Sequence, residues 1–132
     1  MASVSGAGPS GLLSGALLVL RILLAAFFVM AAARNLLGDA QIAADFQRWH
    51  YPGWFRVLTA LLQVVGAVAL LPPSTAFLGA GLLTLVMLGA VGTHLWHDPP
   101  ASALPALVFL ALVATLLYFH RPEALQRLPP AG

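Results

Sequence analysis

The stretch His94-Leu95-Trp96-His97-Asp98 sets two imidazoles at i, i+3 with a carboxylate beside them. Zinc is the first chemistry such spacing brings into view, since adjacent helical turns present both rings to one side. Only two or three ligands are on offer, at a helix end and with no second motif to complete a shell. The reading is therefore no metal. Haem fares no better, because a bis-histidine site needs ligands at matched depth on facing helices, while His50 falls in a loop and His120 on another face. No Ser/His/Asp grouping, paired carboxylates or phosphate loop occurs, so no catalytic residue is assigned. Asp98, ahead of Pro99, reads first as a turn residue.

Three other polar residues stand inside apolar sequence. Arg21 interrupts GALLVLRILLAAFFVM, Asn35 follows the same run, and Gln63 interrupts VLTALLQVVGAVALL. An arginine at mid-span costs about 3 kcal/mol on insertion scales, while each Leu, Ile, Phe or Val returns about 0.3–0.6. The dozen such residues between positions 12 and 33 return about 5 kcal/mol, so the span inserts with its arginine aboard. If the membrane segment begins near Gly15, Arg21 lies about 9 Å inside and can snorkel to headgroups. The alternative is a bundle-facing role toward a ligand or partner. Gln63 reads first as an amide bonding across to a neighbouring helix. Arg34, Asn35 and His94 are expected on one side with Gln63 below them, lining a polar pocket open to one side.

Composition dictates what must position these groups. The 132-residue chain is 61% hydrophobic and 8% charged, against about 25% charged in soluble domains. It is an integral membrane protein of one domain. Its six basic residues are all arginines and its net charge is +2, which is no clustered basic footprint for nucleic acid. The absence of cysteine excludes disulfides, thiolate nucleophiles and iron–sulfur clusters.

Four runs approach the roughly 20 apolar residues that a spanning helix needs: Leu12 to Ala33, Trp54 to Leu71, Ala76 to Trp96 and Ala103 to Phe119. Residues 1–11 and 122–132 read as flexible ends. Pro72-Pro73-Ser74 and His97-Asp98-Pro99-Pro100 are short links that demand antiparallel reversals. The fold class is an all-α, antiparallel up-down four-helix membrane bundle. The one long connection carries a short amphipathic helix, capped by Asp39, with Ile42, Phe46 and Trp49 on one stripe. It either floats on the membrane or closes over the bundle as a lid, burying Phe46 and Trp49. Trp49, Tyr51 and Trp54 are expected to form an aromatic belt. Small residues at Gly11 and Gly15, at Ala76, Ala80 and Thr84, and at Gly89, Gly92 and Thr93 are expected to carry close helix packing, with the third span central. Arginines divide too evenly between the two sides for the positive-inside rule to orient the chain. A cleaved signal peptide ending at Ala31-Ala32-Ala33 is disfavoured, because its n-region would contain the apolar run LLSGALLVL.

RILLAAFFVMAAARNLLGD, HYPGWFRVL, QVVGAVALLPP and MLGAVGTHLWHDPP leading into PALVFLALV, in that order, resemble the DoxX family of small four-helix membrane proteins. The resemblance spans about Arg21 to Arg121. Arg21 matches an arginine early in the family's first helix, and His94 its third-helix histidine. Two positions depart from the family: Ala32 with Asn35 replaces a Gly-x-x-Lys-like pattern, and Gln63 stands where many members carry an ionisable residue. Losing both charges together keeps the site balanced, since one buried charge alone is costly. Some members are subunits of a thiosulfate:quinone oxidoreductase, others join membrane redox complexes, and animal relatives assist receptor assembly. The resemblance thus implies a bacterial inner-membrane location and an accessory role rather than a stand-alone enzyme. The ligand-binding candidates are Arg21, Asn35, Gln63 and His94, toward a quinone-like or other lipophilic molecule or a redox partner. The rival is an assembly protein in which these residues only join helices, alone or as a homo-oligomer.

Overall fold

The computed structural model describes residues 9–122. Its helices are α1 (Pro9–Leu36), α2 (Ala40–Arg48), α3 (Gly53–Leu70), α4 (Ala76–His97) and α5 (Leu104–Phe119), with a 3₁₀ turn at Pro100–Ala103 before α5. Four of these, the 3₁₀ turn included with the last, are long and apolar enough to cross a membrane. The fold is the expected all-α four-helix membrane bundle, and the protein is a multi-pass membrane protein. α1 starts at Pro9, three residues ahead of the expected Leu12; residues 1–8 and 123–132, most of the two expected flexible ends, lie outside the described residues.

Consecutive long helices run antiparallel. α1 packs on α3, α3 on α4 and α4 on α5, while α1 and α5 meet more lightly. Phe27 and Phe109 stack across that lighter seam with ring centroids 3.9 Å apart. The core joins Leu24, Ala25 and Phe28 of α1 to Ala67 and Leu70 of α3, Leu83 and Met87 of α4, and Val113 and Leu116 of α5. Outward faces stay apolar, as lipid contact requires.

α3 and α4 approach closely at one point. A Cβ placed on Gly79 would stand 2.7 Å from the Gly66 carbonyl oxygen and 2.9 Å from the Ala69–Leu70 backbone. Backbone cannot move aside as a side chain can, so this contact needs glycine. It is not where the small-residue stripes were expected to act: Gly15, Gly89 and Gly92 all face open space within the protomer. Ala76 and Ala80 are buried as anticipated.

α2 behaves as its sequence asks. The Asp39 carboxylate accepts the Gln41 and Ile42 amide hydrogens, satisfying donors that every helix start leaves open. Those bonds, led by Ile42 and joined by the Arg34 guanidinium, hold the Asp39 carboxyl below its ordinary value. Gly38 turns left-handed at φ +73° to break α1 from α2.

Candidate functional site

Beyond their tight contact at Gly66 and Gly79, α3 and α4 diverge toward the end where α3 begins and α4 finishes. The wedge between them is a cavity of about 590 Å³. Its walls are the last turns of α1 (Ala31, Arg34, Asn35), α3 from Phe55 to Gln63, and α4 from Leu82 to His94. α2 forms its roof through Ile42, Asp45, Phe46 and Trp49. The amphipathic helix is therefore positioned as a lid over the bundle, with the Phe46, Trp49, Tyr51 and Phe55 rings in mutual contact at centroid distances of 5.2–6.3 Å. Trp49 and Tyr51 turn inward, so the expected aromatic belt is corrected: Trp54 and Trp96 are the outward-facing tryptophans.

Three of the four candidate residues meet here. Asn35 and Gln63, 6% and 7% exposed, join α1 to α3 through Asn35 Nδ2 donating to Gln63 Oε1 at 3.1 Å. Asn35 Oδ1 is buried without a partner, and Gln63 Nε2 has none among the described residues. Exchanging N and O on both amides preserves the bond, so the pair leaves one donor and one acceptor unused in either setting. His94 stands across the wedge, its Nδ1 2.9 Å from Asp98 Oδ2, with the Trp49 ring edge-on to the imidazole. Tyr51 and Thr93 share a 2.8 Å hydroxyl contact beside it.

Asp98 ties the roof down. Its carboxylate, 5% exposed, accepts from Arg48 and from Trp49 Nε1 at 3.3 Å on the lid, and pairs with His94 on α4. Burial works to raise its pKa, but the Arg48 and His94 hydrogen bonds outweigh it and hold the carboxyl below the ordinary value of 3.8. The bond to Asp98, followed by one to Asp45, in turn raises the Arg48 guanidinium. The sequence reading missed this role. The available signal was the i, i+4 spacing of His94 and Asp98 together with a basic and an aromatic residue adjacent on the amphipathic helix. His97 lies edge-on to the Tyr51 ring, with centroids 5.9 Å apart.

Arg21 is elsewhere. It is 8% exposed, donates through Nη2 to the Leu71 carbonyl at 3.0 Å, and contacts His120 Nε2 through Nη1 at 3.4 Å. His120 Nδ1 in turn faces the Leu116 carbonyl at 2.9 Å. α3 and α5 both end at this point, so Arg21 meets the free Leu71 carbonyl after α3 and, through the His120 ring, the end of α5, near the negative ends of two helix dipoles. Its place is the far end of the bundle, not the cavity. Arg34 reaches the cavity rim but commits its guanidinium to Asp39 at 3.1 Å.

A bundle of four spanning helices, hollow at one end and roofed there by a short amphipathic helix, defines the class. The chain belongs to the DoxX-like family, whose profile matches residues 19–116. No curated protein and no solved structure matches it.

Proposed function

We propose that this protein is a small accessory subunit of a bacterial inner membrane that holds a quinone-like or other lipophilic molecule in its roofed cavity. The observation that carries this is a cavity of about 590 Å³, within the range of about 300–1,000 Å³ usual for small-molecule sites, with mostly apolar walls and a few convergent polar groups. The Asn35–Gln63 pair keeps one amide donor free for a ring carbonyl. His94, with Nδ1 engaged by Asp98, keeps Nε2 for a ligand hydroxyl. A bound quinone would supply electron-carrying capacity that the side chains lack, and the chain's residues would hold and orient it. Arg21 has no part in this site.

The Asn35–Gln63 bond across α1 and α3 favours one other reading, an assembly protein whose polar residues only fasten helices. The two separate in phosphatidylcholine nanodiscs, with decylubiquinone as probe and Trp49 as reporter. Trp54 and Trp96 are exposed, so Trp54→Phe and Trp96→Phe leave Trp49 as the only tryptophan. Gln63→Leu and His94→Leu each weaken quenching by about tenfold or more while the protein stays monodisperse and helical. Aggregation of Gln63→Leu, with no saturable quenching of the protein that keeps Gln63 and His94, would favour helix fastening instead.

A further inference from the structure

The cavity is not uniform along its length. Tyr51, Thr93 and His94 line it at the roof, beside Trp49, and the Asn35–Gln63 pair adds amide groups to the lining. Along α4 away from that roof the lining becomes Gly89, Val86, Leu85 and Leu82. Leu85 and Gly89 are also exposed on the outer surface, so the wedge opens sideways between α3 and α4. Leu85, Gly89 and Thr93 follow one another at i, i+4 and i+8, one stripe of α4 leading from outside to the polar end. Gly89 lies eight residues before the end of α4, about 12 Å along the helix. At that depth the opening faces acyl chains rather than water. The aqueous side is closed by the lid, held at Asp98.

Charge narrows the occupant. The charged side chains at the cavity balance at three arginines to three aspartates and are all committed: Arg34 pairs with Asp39, Arg48 with both Asp45 and Asp98, and Arg56 donates to the Asn35 carbonyl. What remains to meet a ligand is amide, hydroxyl and imidazole. A bound carboxylate or phosphate would be desolvated there with no uncommitted cation to meet it. We infer that the site takes an uncharged, single-headed amphiphile directly from the bilayer, its head seated under α2 and its tail leaving between α3 and α4 past Gly89. This rests on the ligand-holding function proposed above and adds its route, orientation and charge.

Gly89 supplies a clean test, because a Cβ there meets nothing within 4 Å and Gly89→Leu therefore narrows the opening without displacing backbone. In the Trp49 nanodisc assay, decylubiquinone is compared with the same quinone head lacking its tail, and with palmitate as an anionic tailed competitor. Gly89→Leu is expected to weaken the tailed quinone by about tenfold or more and leave the tail-less head unchanged. Gly89→Ala should fall between, and palmitate should not compete. Equal loss of both quinones, or no loss of the tailed one, would overturn the tail route, and competition by palmitate would overturn the uncharged-head requirement. Failure of both quinones to quench the unsubstituted protein would instead sink the ligand-holding function itself.

Discussion

One carboxylate decides whether the cavity is roofed. Asp98 receives Arg48 and Trp49 from α2 and His94 from α4, so it fastens a nine-residue helix that has little interface of its own. Its pKa is depressed in the folded protein, and a depressed carboxylate contributes stability above its ordinary range and loses it as pH falls through the folded value. Asp98 should therefore hold the lid at neutral pH and release it only below about pH 4. Hydrogen exchange of residues 40–49 reads this directly: protection persists to about pH 4 and is lost on further acidification. Asp98→Asn should show the collapsed pattern already at pH 7, and unchanged protection in that variant would contradict the fastening role. Sequence reading treated Asp98 as a turn residue because its partners on the lid lie about fifty positions away. Asn35, Gln63 and His94 were legible as a group because polar side chains deep in apolar helices have few places to go. Arg21 was half legible: position along α1 suggested shallow burial, but only the ends of α3 and α5 reveal what it meets.

At the scale of elements, the hollow exists because α3 and α4 touch at one end and part at the other. Gly79 sets the touching end against backbone, and Gly89 lines the parted one. The same change at the two positions should therefore have opposite effects. Gly79→Ala is expected to cost about 1–3 kcal/mol through forced separation of the helices. Gly89→Ala should be neutral or stabilise by about 0.5–1 kcal/mol, since it removes glycine's backbone entropy from a helix interior. Thermal unfolding in detergent distinguishes them, and a lowered Tm for both would contradict the wedge. The spans and the Asp39-capped helix could be read from hydropathy and capping chemistry alone. Which small residues make contact could not, because Gly15, Gly79, Gly89 and Gly92 look alike until the crossing point is known.

Across the whole molecule, packing and openness are segregated. The buried aliphatic core and the Gly66–Gly79 contact occupy the part of the bundle toward Pro72-Pro73, while polar groups and empty volume collect beneath α2. Arg21 and His120 close the chain-terminus end against the carbonyls of α3 and α5. Such a division leaves one end rigid enough to keep the other from collapsing, as the proposed ligand-holding function requires. The most direct measurement is native mass spectrometry of the full chain released from membranes in mild detergent, with lipid extraction alongside. A single uncharged lipophilic molecule should remain on the protein and be lost in Gly89→Leu, which keeps its fold. Protein carrying nothing, or only bulk phospholipid that survives Gly89→Leu, would contradict a ligand-holding cavity and leave helix fastening as the function of its polar residues.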